Sequence, residues 1–268
     1  MKKHKAILPA FVTTLAIITA LALPLHAGES KTADAKETQE AKNLLQTPAA
    51  QSDWQFSLGL PLWVAGLSGD VGVKNVSTNV DFTAKQLLKH LKATLAIAGE
   101  VRYRQFGLYA DFLYLKFNAG GSTAGLEAKQ FLGDIDANYR FVENDRGWID
   151  GLAGLRITGV DQELNFFSIL GPFSPKVSGS RTWVDPYLGL RGRVNINKAF
   201  YFTAKSDVGG FDTNSKITVE AYGAFGCQVT RYIYSEVGYK YLYDDYHKDG
   251  VLWKTSTAGL MMTMGLRF

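Results

Sequence analysis

Disulfide chemistry has no place in this chain, because its 268 residues include a single cysteine, Cys227. The chain can form no internal disulfide, so it is not a disulfide-stapled secreted domain. Proline is scarce, at seven residues. Long apolar runs are equally scarce: one runs from Ala6 to Leu23, and no second candidate for a membrane helix follows it.

A strong charge of one sign is also missing. Removing residues 1–27 takes away Lys2, Lys3 and Lys5 and no acid, which leaves 26 basic residues against 25 acidic ones. A net charge of +1 gives no reason to expect nucleic acid as a partner. One cysteine and two scattered histidines in the remaining chain provide no metal-binding pattern. We therefore expect no metal and no cofactor.

The N-terminus has the features of an export signal. A short basic start, the apolar run and the small residue Ala27 predict a signal peptide over residues 1–27, with cleavage after Ala27. Residues 28–53 are polar and hold almost no large apolar side chain, so we interpret them as a periplasmic linker. The remaining residues, 54–268, form the third segment.

A period of two dominates the chain from Trp54 onward, which is typical of β-strands with two different faces. Each of the ten segments with this pattern is long enough to cross a membrane when tilted. They lie near residues 54–66, 93–104, 106–118, 127–142, 147–160, 181–195, 199–209, 215–229, 231–244 and 252–268. Tight joins alternate with longer ones, notably 67–92 and 161–180, as in barrels with periplasmic turns and extracellular loops. The sequence thus predicts an all-β protein, a closed antiparallel up-and-down transmembrane β-barrel of ten strands, with eight or twelve left open.

Charged residues occupy the face opposite the apolar one, which places them in the lumen, because a charge facing hydrocarbon costs about 2–4 kcal/mol. The predicted lumen charges are Glu100, Arg102, Asp111, Asp134, Asp136, Arg140, Asp150, Arg156, Asp185, Arg191, Arg193, Lys205, Asp207, Glu220, Glu236, Lys240 and Arg267. Near-balanced charge favours internal salt bridges over a selective channel. If the lumen conducts, Arg191 and Arg193 beside Asp185, and Lys205 beside Asp207, are the positions to change first.

Several stretches of the chain resemble a widespread, mostly uncharacterised family of porin-like outer-membrane proteins of Gram-negative bacteria. They include Leu62-Trp63, Glu100-Val101-Arg102, Asp207-Val208-Gly209-Gly210-Phe211 with Ser215, Gly238-Tyr239-Lys240-Tyr241 and Gly265-Leu266-Arg267-Phe268. The resemblance implies residence in the outer membrane, in contact with lipid and lipopolysaccharide. The last strand resembles the signal read by the barrel-assembly machinery, through Leu260, Met262, Met264, Leu266 and Phe268.

The leading functional hypothesis is a non-enzymatic barrel without catalytic residues, either a narrow pore for small solutes or a structural surface protein. One alternative is a hydrolase resembling the omptin proteases, whose Asp-His pair would correspond to Asp245 and His247 in a loop-end run. The other is adhesion or ligand binding through the 67–92 and 161–180 loops. Within the first of these loops, Leu87, Leu88 and Leu91 have the spacing of a short helix over or inside the barrel mouth.

Overall fold

A computed structural model describes residues 53–74, 76–120, 124–166 and 176–268. The predicted signal peptide, nearly all of the predicted linker and the middle of the 161–180 segment lie outside these residues. Within the described residues, no helix is long and apolar enough to cross a membrane.

The described chain consists of eleven strands and one short helix. They are β1 (Trp54–Val73), β2 (Val76–Phe82), α1 (Ala84–His90), β3 (Leu91–Tyr103), β4 (Phe106–Gly120), β5 (Ala124–Asn144), β6 (Gly147–Phe166), β7 (Lys176–Asn195), β8 (Phe200–Gly209), β9 (Ile217–Gln228), β10 (Ile233–Lys248) and β11 (Val251–Arg267). From β3 to β11 each strand pairs with the next, and β11 pairs with β1. The lower part of β1 pairs with β3, which closes a ring of ten strands, while β2 pairs only with the upper part of β1. The predicted closed ten-stranded barrel is confirmed.

The stagger of the strands gives the barrel its tilt. A path through paired residues that leaves β1 at Ser57 returns to β1 at Gly69, twelve residues further along. With about 3.3 Å per residue and about 4.8 Å between strands, this stagger tilts the strands by about 40°. Transmembrane barrels have tilts of this size.

An apolar belt surrounds the lower part of the barrel. On β1, every second residue from Trp54 to Val64 is apolar and faces outward, and Leu60 is 63% exposed. The outward positions above are small or polar, among them Ser68 and Asp70. At the tilt given above, residues 54–64 rise about 25 Å, the height of a lipid-facing band. The strands therefore continue above the membrane.

The predicted extent of several strands was wrong for this reason. β1 continues to Val73, β6 to Phe166, and β7 begins at Lys176. The 67–92 segment is the end of β1, then β2, α1 and the start of β3, rather than a loop. The pattern of large apolar residues ends at the membrane surface, whereas backbone pairing continues in water, so a rule based on lipid contact ends the strands too early.

Pairing between β1 and β3 stops halfway up the wall. β1 pairs with β3 only from Trp54 to Gly59, and with β2 only from Leu67 onward. Residues 60–66 of β1 pair with β11 alone, on their other side. α1 connects β2 to β3 and so crosses the upper end of this gap. We call the unpaired stretch between residues 60–66 of β1 and the upper part of β3 the seam.

A proline explains why the pairing stops. Phe56 exchanges both backbone hydrogen bonds with Phe268, at 3.1 and 2.9 Å. Backbone groups alternate in direction along a strand, so the even-numbered residues of β1 face β11 and the odd-numbered ones face β3. Pro61 is the first odd position above Gly59, and it has no N–H to donate to β3.

Candidate functional site

The lumen of the barrel is the strongest candidate site, because its charged side chains meet there. A central cluster joins three bases to three acids: Arg156, Lys205, Lys240, Asp134, Asp207 and Glu220. Arg156 is 1% exposed and contacts all three acids, with nitrogen-to-oxygen distances of 2.9, 3.1 and 3.0 Å. The charges cancel within the cluster, and the pairing repays part of the cost of removing them from water.

A second cluster, the lower cluster, lies nearer the tight turns. Asp150 is fully buried and accepts hydrogen bonds from Arg102, Arg140 and Arg191, at 2.6, 2.9 and 3.0 Å. Glu100 accepts from Arg102 at 2.8 Å and from Arg191 at 2.5 Å. One carboxylate on β6 thereby ties together side chains from β3, β5 and β7, so the lower cluster crosses the lumen.

Tyrosines take the place of ion pairs at five of the other predicted lumen positions. Asp111 accepts a hydrogen bond from Tyr109 at 3.2 Å, and Asp136 accepts one from Tyr187 at 2.9 Å. Glu236 accepts from the hydroxyl groups of Tyr201 and Tyr222, at 2.8 and 3.1 Å. The remaining two bases stack on rings: Arg193 on Tyr201, at 3.5 Å from the centroid, and Arg267 on Tyr234, at 4.8 Å. Sequence reasoning did not single out these tyrosines as partners, although the alternation places them on the inner face.

The two clusters border a cavity of about 160 Å³. It is lined by Glu100, Arg191, Lys205 and Glu220 from the clusters, and by Glu236 and Tyr222. A smaller cavity of about 90 Å³ lies at the level of the tight turns and shares Ser57, Glu100, Trp148 and Arg267 with it. The lower half of the lumen thus contains cavities large enough for water. Acidic and basic side chains line them in nearly equal numbers.

Above the membrane, an apolar core fills the barrel. Trp183 and Tyr246 stack with ring centroids 3.9 Å apart, and Trp253 is 1% exposed. The core residues are Leu67, Val71, Val80, Phe82, Phe117, Ala128, Val160, Trp183, Tyr246, Val251 and Trp253, with Leu87 of α1 packed against them. This end of the lumen is packed like a protein interior.

The connection from β8 to β9 lies directly below this core. Gly210, Phe211 and Asp212 all have positive φ angles, of 84°, 48° and 59°, which turn the chain sharply. The turn buries Ser215 completely. Its N–H donates to Asp185 and its hydroxyl to Asp244, both at 2.8 Å. The glycine-containing motif of the family resemblance therefore forms a turn whose end is inserted into the barrel.

The location of Asp185 differs from the prediction. It bonds to Ser215 near the extracellular end, while Arg191 pairs with Glu100 and Asp150 in the lower cluster and Arg193 stacks on Tyr201. Alternation predicts the face of a residue but not its depth in the barrel. Asp185 and Arg191 share the inner face of β7, but they lie six residues apart, which is about 20 Å along the strand. The predicted pair of Lys205 with Asp207 is present, at 3.4 Å.

Asp244 is buried above the apolar belt, outside the membrane-spanning part of β10. Burial raises its pKa to about 7, and the nearby Asp185 carboxylate adds to the rise. The hydrogen bond from Ser215 and the charge of Arg156 act in the opposite direction. Asp244 therefore exchanges its proton near neutral pH.

The Asp245 and His247 pair does not lie in a loop, because β10 continues to Lys248. Asp244 and Tyr246 are buried, whereas His247 is exposed on the outer face. Asp245 forms an ion pair with Lys254 at 2.9 Å and accepts from Tyr243 at 3.3 Å. In the described part of the chain, no group of three or more His, Cys, Asp and Glu residues is arranged to hold a metal ion.

The predicted assembly residues of the last strand lie on the outer face. Leu260, Met264 and Leu266 are 43, 61 and 39% exposed, and Met262 lies between them. Their side of β11 pairs with the even-numbered residues of β1 that form the apolar belt.

Comparisons with known proteins place the chain among outer-membrane barrels. No family model matches the chain, and no curated protein matches it. Among solved structures, the outer-membrane protease OmpT of Escherichia coli matches with a TM-score of 0.50 and 12% identity, over 83% of this chain and 99% of that one. The attachment invasion locus protein Ail of Yersinia pestis matches with a TM-score of 0.37 and 14% identity, over 81% of this chain and 100% of that one.

Neisserial surface protein A matches with a TM-score of 0.35 and 13% identity, over 81% of this chain and 98% of that one. At these identities the likeness shows the fold alone. The chain has the fold of a Gram-negative outer-membrane β-barrel.

Proposed function

We propose that this protein is a non-enzymatic outer-membrane barrel with a closed lumen, which serves as a structural surface protein rather than as a pore. The apolar core above the membrane carries this proposal. A conducting lumen needs a continuous water path, and the stacked rings of Trp183 and Tyr246 occupy the end that such a path would cross.

The central cluster supports the same proposal. Arg156 is held by three acids at once, so a passing ion would have to compete with contacts that are already made. Small barrels commonly have lumens filled by side chains. The resemblance to porin-like proteins then reflects the shared barrel rather than conduction.

The geometry of Asp245 and His247 supports a non-enzymatic role. Asp245 is engaged by Lys254, and His247 lies on the outer face of a regular strand. A general base has to reach the proton that it removes, within a pocket that can orient a substrate. Neither residue lines the cavities of the lumen.

Single-channel recording in planar bilayers tests the proposal. Refolded wild-type protein, shown to be folded by heat-modifiable migration, is expected to give no discrete current steps. The matched variant carries Arg191→Ala and Arg193→Ala, which remove positive charge from the lower lumen. Discrete wild-type steps that change in this variant would show an open lumen and would overturn the proposal.

A further inference from the structure

The seam leaves backbone groups of β1 without partners at the depth of the apolar belt. Pro61, Trp63 and Ala65 face β3 but lie above the last paired residue, Gly59. Two N–H groups and three C=O groups are therefore unpaired by neighbouring strands. In hydrocarbon, each such group costs several kcal/mol unless it finds a partner. The unpaired N–H and C=O groups of the seam therefore need hydrogen-bond partners that the neighbouring strands do not supply.

The position of the seam within the apolar belt places it near the upper interface of the membrane. The outward side chains that flank the seam are apolar and exposed, with Leu60 at 63%, Leu95 at 69% and Ile97 at 41%. Polar outward residues begin at Ser68, only a few residues above. Trp63 and Ala65 accordingly lie near the depth at which the ester groups of lipids meet the acyl chains.

A buried indole adds an unsatisfied donor at the same place. Trp63 is 7% exposed, and its Nε1 has no hydrogen-bond partner in the described part of the chain. Buried tryptophan N–H groups usually have one. The ammonium group of Lys240 lies 5.4 Å from the centroid of the Trp63 ring, and the ring also belongs to a small apolar cluster.

That cluster forms an apolar recess behind the seam. It consists of Trp63, Leu132 and Leu242, with Ala65, Leu113 and Met261 packed against them. The cavity beside it, lined by Pro61 and Ala96 from the two edges of the seam, measures about 20 Å³. This volume holds about one water. A bound chain would therefore lie mainly along the seam, with only its side against the recess.

Unpaired positive charge lies above the seam. Lys85 and Lys89 on α1 and Lys92 at the start of β3 are exposed, and α1 contains no acid. No carboxylate of the described residues lies within ion-pair distance of these three ammonium groups, and Asp81, the acid nearest to α1 in sequence, is exposed as well. Such a group of lysines at the membrane surface attracts anionic lipid headgroups.

We propose that the seam binds one acyl chain of a phosphate-bearing membrane lipid. The phosphate group contacts Lys85, Lys89 and Lys92, and an ester carbonyl accepts hydrogen bonds from the N–H groups that β3 leaves free. The chain lies along the seam against Trp63. The recess borders the central cluster, because its cavity is also lined by Arg156, Glu220 and Lys240. The proposal concerns lipid at the wall of the barrel and does not require the lumen to conduct.

Photo-crosslinking in vesicles tests the site directly. The protein is refolded into phosphatidylcholine vesicles that contain a small fraction of phosphatidylglycerol with a diazirine in one acyl chain, and labelled residues are mapped by peptide mass spectrometry. We expect labels on the inward residues Trp63, Leu113 or Met261, which an intact wall keeps away from lipid. Labels confined to outward residues such as Leu60, Leu95 and Ile97 would overturn the proposal.

Two matched pairs of variants sharpen the test. Ala96→Trp blocks the recess at its β3 edge, whereas Ala110→Trp adds the same bulk to the outer face of β4. We expect Ala96→Trp to lower inward labelling at least fivefold and Ala110→Trp to leave it unchanged. If Ala96→Trp fails to fold, the wild-type map still decides.

The headgroup contact is tested with Lys85→Gln combined with Lys89→Gln. Its control combines Lys74→Gln with Lys216→Gln, two exposed lysines elsewhere on the extracellular side. We expect labelling by the phosphatidylglycerol probe to fall at least threefold in the first variant only. An equal result for both variants would contradict the role of the α1 lysines.

Discussion

At the scale of single residues, the protein shows how charge is held inside a membrane. Arg156 and its three acids are almost fully removed from water, yet every charge has a partner within 3.2 Å. Removing one partner of such a group is costly, because the remaining charges stay buried. An ion pair in water contributes little by comparison.

Arg156→Gln is therefore expected to lower the free energy of unfolding by about 3–5 kcal/mol. Its control is Arg104→Gln, which removes an arginine–carboxylate contact of the same 2.9 Å length, to Asp53, between two exposed side chains. Urea unfolding in lipid vesicles, followed by tryptophan fluorescence, measures both. Similar losses in the two variants would show that burial of the central cluster contributes nothing.

Asp244 predicts a pH dependence of stability. Its pKa of about 7 in the folded protein lies above that of a free aspartate, near 3.9, so the folded state holds a proton that the unfolded state releases. The contribution of Asp244 is then complete below about pH 4 and is lost as the pH rises through about 7. The loss is on the order of 3–4 kcal/mol.

The Asp244→Asn variant checks this pH dependence. We expect the decline in the free energy of unfolding between pH 4 and 7 to be smaller in the variant than in the wild type. Asp185 and Asp245 lie nearby and remain in both proteins, so they do not account for a difference between the two. Parallel curves would rule out a raised pKa at Asp244.

At the scale of elements, alternation and the inward charges predicted the closed barrel of ten strands, with eight or twelve left open. They missed β2, which lies within the predicted 67–92 loop. The strand ends were not predictable from large apolar residues, because β1, β6 and β7 continue in water beyond the belt. The seam has one visible signal in the sequence, Pro61 within an otherwise regular strand pattern. The partners of Arg191 and Asp185 had no such signal, since tilt and stagger determine them.

The seam predicts an alternating pattern of hydrogen exchange along β1. The amides of Leu62 and Val64 face β11 and are paired, whereas those of Trp63 and Ala65 face the gap. We expect the amides of Trp63 and Ala65 to exchange at least tenfold faster, measured residue by residue by NMR in detergent micelles. The amides of Ser57 and Gly59, below the gap, serve as paired controls on the same side of β1. Uniform protection from Ser57 to Ala65 would mean that β1 and β3 are hydrogen-bonded along this whole stretch, and that the seam does not exist.

At the scale of the whole molecule, the two ends of the barrel differ. The lower half of the lumen contains cavities lined in part by charged side chains, and the upper end contains an apolar core with the buried Ser215 turn beneath it. The interior is therefore expected to be reachable by water and small reagents from the side of the tight turns alone. The proposed closed lumen depends on this asymmetry.

Cysteine accessibility tests the asymmetry. In a Cys227→Ser background, Thr203→Cys places a thiol in the lower cavity, and Thr218→Cys places one at a fully buried position below the apolar core. We expect a charged methanethiosulfonate reagent to modify the folded Thr203→Cys protein at least tenfold faster, and to modify both equally after unfolding in hot detergent. Equal rates in the folded state would mean that the extracellular end admits solutes. In that case the apolar core would have to be a gate rather than a seal, and conductance would again become the expected function.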